Sequence, residues 1–183
     1  MVSYNMVRYF KCLPSLNLIS IKDYLVKSAF IWAKGEISDY GFGTAYKWRS
    51  LPGGLQEARR TGKPIFLLIH KITCPSCQKL KEKFSRSIKL IDLSNYFVMI
   101  NVENSSDILS YYKEYTPDGK YVPRILFFTY DGQLIHNAYN RHPDADPNHR
   151  YYYSSPAQII DVMQQVIDNK SRNPLPESPT TKS

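Results

Sequence analysis

Five large apolar side chains in a row, Ile65-Phe66-Leu67-Leu68-Ile69, constrain this chain more than any other feature. A run this short and uniform, bounded by Gly62 and Pro64 on one side and His70-Lys71 on the other, suits a strand covered on both faces. Such a strand needs helices above and below its sheet, which points to an α/β layer architecture. The spacing downstream agrees. From Cys77, the apolar residues Leu80, Phe84, Ile88 and Ile91 follow at intervals of three and four. The periodicity predicts one amphipathic helix after Cys74, with Lys79, Lys83 and Arg86 on its other face. Tyr96 to Val102 reads as a second buried strand. Strand, helix, strand makes a βαβ unit, whose crossover is right-handed.

Weaker signals complete the domain. Leu55 to Thr61 suits a short helix stopped by Gly62. Ser106 to Tyr112 suits another, and Pro117-Asp118-Gly119 a turn. Asp131-Gly132, between Arg124 to Tyr130 and Gln133 to Ile135, is a hairpin signal. At Ser155-Pro156-Ala157-Gln158, Ser155 is expected to cap a closing helix, Pro156 to open it and Gln158 to complete a capping box. Residues 41–170 thus read as the folded domain. Residues 1–40 read as a leader or extension, and 171–183, a Pro/Ser/Thr tail with little to bury, as disordered.

Composition excludes several classes. An apolar fraction of 43% supports a real core. The net charge of +8 is spread along the chain, so it reads as a solvated basic surface and not as a nucleic-acid site. No apolar run is long enough for a membrane span. Arg8 and Lys11 precede the uncharged Cys12 to Ile21, but Pro14, Ser15, Asn17 and Ser20 dilute that stretch. A signal peptide and a loose extension both stay open there.

Only three cysteines are present, too few for a disulfide-stapled secreted fold. Two of them form Cys74-Pro75-Ser76-Cys77, at the junction between the first strand and the helix. A thiol at a helix N-terminus faces unpaired backbone N–H groups and the positive end of the dipole, which favour its thiolate. The thiolate is the attacking species in disulfide exchange. Cys74 is therefore read as the nucleophile. Cys77, one turn in on the apolar face, is read as the resolving thiol, giving a redox-active Cys74–Cys77 disulfide. Pro75 stiffens the turn, and Lys71 and Lys79 add positive potential nearby. Pro75 and Ser76 also set the dipeptide that tunes the pair. A zinc site would need about two further ligands, and His70, His136, His142 and His149 lack a paired spacing, so no metal is expected. Val122-Pro123 opens the segment before Arg124. Read from the residues alone, that bond can be cis or trans.

The blocks Gly41-Phe42-Gly43, Trp48, Gly62-Lys63-Pro64, Ile69-His70-Lys71, Phe97-Val98-Met99, Pro117-Asp118-Gly119 and Tyr121 to Phe127 surround this motif in order. From Gly41 to about Asn169 the chain resembles the small endoplasmic-reticulum thioredoxins, the family of thioredoxin domain-containing protein 12 and the anterior gradient proteins. With both cysteines present it looks closest to the protein 12 branch. The resemblance implies a thioredoxin fold, a mixed central sheet flanked by helices. It implies thiol–disulfide oxidoreductase activity on cysteine-containing protein substrates in the endoplasmic reticulum lumen or outside the cell. Glutathione is the implied redox partner, and no bound cofactor is expected. It further implies that Pro123 is a cis-proline facing the dithiol, so that Val122 and Pro123 contact substrate.

This chain departs from the family pattern in its Pro75-Ser76 dipeptide. It also departs from many thioredoxins at Thr73, where they carry Trp, and at Leu68, where they place a buried acid. It ends Thr181-Lys182-Ser183, without a KDEL-type signal, which makes retention less secure. Asn104 and Asn169 head weak N-glycosylation sequons. Two other readings stand beside the main one. One is an anterior-gradient-like chaperone or binding module using Asn137 to Tyr153. The other is a cytosolic thioredoxin-like reductant.

Overall fold

The computed structural model describes residues 38–172. Most of the segment read as a leader, and all but Ser171 and Arg172 of the segment read as a tail, lie outside the described residues. The elements are α1 (Leu51–Thr61), β1 (Ile65–His70), α2 (Pro75–Phe84), α3 (Ile88–Ser94), β2 (Val98–Glu103), β3 (Arg124–Phe128) and α4 (Pro156–Arg172). The sheet order is β2-β1-β3. β1 runs parallel to β2, with Ile65 opposite Val98 and His70 opposite Glu103. It runs antiparallel to β3, with Ile65 opposite Phe128 and Ile69 opposite Arg124. Single bridges widen the sheet at both edges: Arg49 pairs with Ile100 and Leu134 with Phe128. The mixed sheet is flanked by helices, and the fold is thioredoxin-like.

All six residues of β1 are buried, as the uninterrupted apolar run requires. Because side chains alternate along a strand, Phe66 and Leu68 face one layer while Ile65, Leu67 and Ile69 face the other. The first layer holds the main core. Phe42, Tyr46, Trp48, Phe84, Phe97 and Phe127 pack there with Leu80, Leu90, Leu93 and the Ile159, Val162 and Met163 stripe of α4. Two buried polar atoms in this aromatic cluster find backbone partners. Tyr46 donates its hydroxyl proton to the Phe84 carbonyl (2.6 Å), and Trp48 Nε1–H donates to the Gly43 carbonyl (2.9 Å). On the second layer α1 lies very close to β2. A Cβ at Gly54 would stand 2.4 Å from the Ile100 side chain, so only glycine permits this approach.

Three local expectations shift. The first helix begins at Leu51 instead of Leu55, because Ser50 caps it by accepting from Gly53 N–H. The single helix expected after Cys74 is broken at Ser85–Ser87 into α2 and α3. The break turns Leu90 and Leu93 into the core and leaves Ile88 75% exposed, so Ile88 is not part of the apolar stripe. The short helix expected at Ser106 to Tyr112 is instead a pair of 3-10 turns, Ile108–Tyr111 and Lys113–Tyr115. The hairpin at Asp131-Gly132 forms, with Thr129 N–H donating to Gln133 O (2.8 Å) and Ile135 N–H to Phe127 O (2.8 Å). At α4, the Gln158 side chain reaches back to Ser154 N–H (2.8 Å), one residue before the expected cap.

Candidate redox site

Cys74 ends the loop after β1 and occupies the N-cap of α2, with extended backbone angles. Its sulfur accepts a hydrogen bond from Cys77 N–H at 3.3 Å. Pro75 fills the first helical turn, where a missing N–H leaves no bond unmade. Cys74 is half-buried and Cys77 fully buried, and both are free thiols. Burial pushes the Cys77 thiol up to about 12, and its contact with Cys74 adds to the rise. The two thiols are thus unequal before any substrate arrives. One lies at the surface on a helix N-terminus, and the other is kept protonated beneath it.

The Val122–Pro123 bond is cis. The loop that carries it comes against the dithiol, and the Val122 carbonyl lies 3.6 Å from Cys74 Sγ. That loop is anchored from behind. Tyr121 donates its hydroxyl proton to the Asp118 carboxylate (2.7 Å) and accepts from Tyr151 N–H (3.0 Å). Arg150 N–H donates to Asp118 Oδ2 (2.7 Å), and the His149 ring packs edge-on against Tyr121. The segment Asn137 to Tyr153 is therefore tied to the loop that faces Cys74. Arg124, next after the proline, is fully buried and donates to the Tyr121 carbonyl.

Lys71 follows β1 in the loop before Cys74. Its ammonium is paired with Asp107 (2.9 Å), which ties the loop before Cys74 to the segment after β2. What Lys71 supplies to the dithiol is its backbone. Its carbonyl accepts from Cys74 N–H (3.2 Å), and a backbone hydrogen bond from it favours the Cys77 thiolate. The lysine whose charge reaches Cys77 is Lys81, which the sequence reading missed. Its spacing of four from Cys77 on one helix was the available signal. Ser76 lies half-buried between Pro75 and Cys77.

The position read as lacking an acid, Leu68, is fully buried in the apolar core. Two residues on, on the same face of β1, His70 is also fully buried, with the Asn101 side chain and the Lys71 backbone as its polar neighbours. Tyr40 and Phe42 pack edge-on against it, each with ring centroids 5.0 Å away. Burial lowers its pKa to about 4, so the ring is neutral at pH 7. Asn104 requires a correction. It is 2% exposed, its amide donates to Ser110 Oγ (3.4 Å) and its oxygen accepts from Leu109 N–H (3.2 Å). The folded chain leaves no room for a glycan there, whereas Asn169 is exposed on α4. Among the described residues, no three His, Cys, Asp or Glu side chains cluster to hold a metal ion. No described helix is long and apolar enough to cross a membrane.

Comparison with known proteins places this geometry in a family. The thioredoxin-like family model matches residues 46–129. Mouse anterior gradient protein 3 is 34% identical over 89 residues, 48% of this chain and 52% of that protein. Anterior gradient protein 2-B of Xenopus laevis is 31% identical over 136 residues, 73% of this chain and 77% of that protein. The chain belongs to the anterior gradient family. It spans about half the length of several of these curated relatives, the mouse protein among them. Among solved structures, a thioredoxin from Thermus thermophilus aligns at 19% identity with a TM-score of 0.46, over 66% of this chain and 85% of that one. For a member of the anterior gradient family, the features that bear on chemistry are its own residues: two thiols at 74 and 77, and a buried histidine at 70 beyond an apolar Leu68.

Proposed function

We propose that this chain is a thiol–disulfide oxidoreductase acting on cysteine-containing proteins, with residues 41–170 as its working domain. The observation that carries the reading is the pairing of a half-exposed Cys74, at the N-cap of α2, with a buried Cys77 whose N–H donates to its sulfur. The Cys74 thiolate attacks a substrate disulfide, and the substrate's second sulfur leaves as a thiolate. An extended substrate strand lies along Val122 and Pro123. The Cys77 thiolate then attacks Cys74 Sγ, releases the first substrate sulfur and leaves the Cys74–Cys77 disulfide. Glutathione is the proposed redox partner, and the endoplasmic reticulum lumen or the extracellular space the proposed compartment. Membership of the anterior gradient family supports the compartment.

Insulin reduction with glutathione as the electron source tests this. Cys74→Ser is expected to abolish turnover, and Cys77→Ser to trap substrates as mixed disulfides. A Cys74→Ser protein with the parent's rate ends the reading. The anchoring of Asn137 to Tyr153 behind the Val122 loop favours one alternative, a binding module for client proteins. Client capture that survives loss of both thiols, with no insulin reduction by the parent, would select it.

A further inference from the structure

In the proposed cycle the second step is the harder one, because the buried Cys77 must lose its proton before it can attack. Leu68 offers no base. His70 is neutral and buried, but a group at about 4 is far too weak a base to take a proton from a thiol near 12. Help therefore has to come from a field that favours the thiolate, with water taking the proton.

Lys81 lies four residues after Cys77, which places the two on one face of α2. Its stem is directed by the loop before Trp48. A Cβ on Gly41 would stand 3.0 Å from Lys81 Cδ, and Gly41 holds a φ of +81°, so the stem lies over a residue that has no side chain to obstruct it. Its Nζ sits 5.5 Å from the centroid of the Phe42 ring, whose face attracts a cation. Phe42 packs in turn against His70, with ring centroids 5.0 Å apart, so the head group is held beside that ring and one helical turn on from Cys77. The charged and titratable groups around this spot are few. Cys74 raises the Cys77 thiol, and the Lys71 peptide lowers it. The Lys71 ammonium is engaged by Asp107. Glu103 and Asn101, on β2, and Tyr40 face His70.

We propose that Lys81 is the positioning cation of the resolving step, held over Gly41 and Phe42 so that its charge stabilises the Cys77 thiolate as it forms. The proposal rests on the dithiol reading above. The step balances simply. Cys77 gives its proton to water, and its thiolate attacks Cys74 Sγ of the mixed disulfide. The Cys74–Cys77 bond forms as the bond from Cys74 to the substrate sulfur breaks. The substrate leaves as a thiolate and takes up a proton, reduced by the electrons the dithiol has lost.

Stopped-flow mixing of the reduced full-length protein with excess Ellman's disulfide tests this. A Cys12→Ser background removes the third thiol. Thionitrobenzoate appears first from attack by Cys74 and then from attack by Cys77. Lys81→Gln is expected to slow the second phase and move its pH midpoint upward. Raising a thiol pKa by one unit cuts its thiolate roughly tenfold but makes that thiolate more nucleophilic, so the net slowing is about threefold per unit. Lys81→Arg is expected to restore the second phase, and the first phase to stay the same in all three proteins. An unchanged second phase in Lys81→Gln overturns the proposal, as does equal slowing of both phases. A parent protein with no second phase at all overturns the dithiol reading and takes this proposal with it.

Discussion

The two faces of β1 are equally buried and do different work. On one face Ile65, Leu67 and Ile69 meet α1 and lie beside Ile100, Leu126 and Phe128, in packing tight enough to need Gly54. On the other, Phe66 and Leu68 open the aromatic core, and His70 continues the same row beneath α2 and its dithiol. The first face also carries a buried cation, Arg124 opposite Ile69, whose Nε and Nη2 have no partner. The second carries a buried neutral imidazole, with Asn101 of β2 and the Lys71 backbone as its polar neighbours.

The largest expected effect tests the polar face. His70 titrates at about 4 when folded, against an ordinary 6.5. A histidine with a depressed folded value adds stability that is full above pH 6.5 and is lost as pH falls toward 4, because the unfolded chain binds the proton first. That difference corresponds to about 3 kcal/mol. Urea unfolding across this window should show the loss in the parent, and His70→Leu should flatten it. An identical slope in the variant would remove the contrast between the faces. The next effect tests the packed face. Gly54→Ala forces a methyl group against Ile100 and is expected to destabilise by about 1–3 kcal/mol. The rate of Cys74 alkylation in the folded variant should stay at the parent's value, and a changed rate would show that the faces are coupled. The smallest effect concerns the Lys71–Asp107 pair, which is partly exposed. Asp107→Asn should lower the thermal midpoint slightly at low salt, and the difference should shrink as salt is added. A salt-independent loss would mean that this pair is a structural part of the site.

Much of the site was readable in one dimension. The spacing of Cys74 and Cys77, the strand before them and the apolar period after them are relations between near neighbours in the chain. The backbone converts such relations directly into geometry. The break at Ser85–Ser87 was not readable, because Ile88 and Ile91 keep a helical period with the residues before them. Only the position of the core selects Leu90 and Leu93 instead. The same limit applied to Lys71. Its nearness in sequence suggested a role for its charge, but Asp107, which takes that charge, is 36 residues away.

By itself the sequence determined the α/β architecture, the two-thiol motif and the placement of its cysteines at the start of a helix, because strand burial, helix capping and motif spacing are local properties. Tertiary structure alone decided that His70 is fully buried and neutral. It also decided that Asn104 is closed to a glycan and that the Lys71 ammonium pairs with Asp107. Each of these outcomes depends on which distant segment covers a residue, and burial and electrostatic fields arise only once the layers have packed.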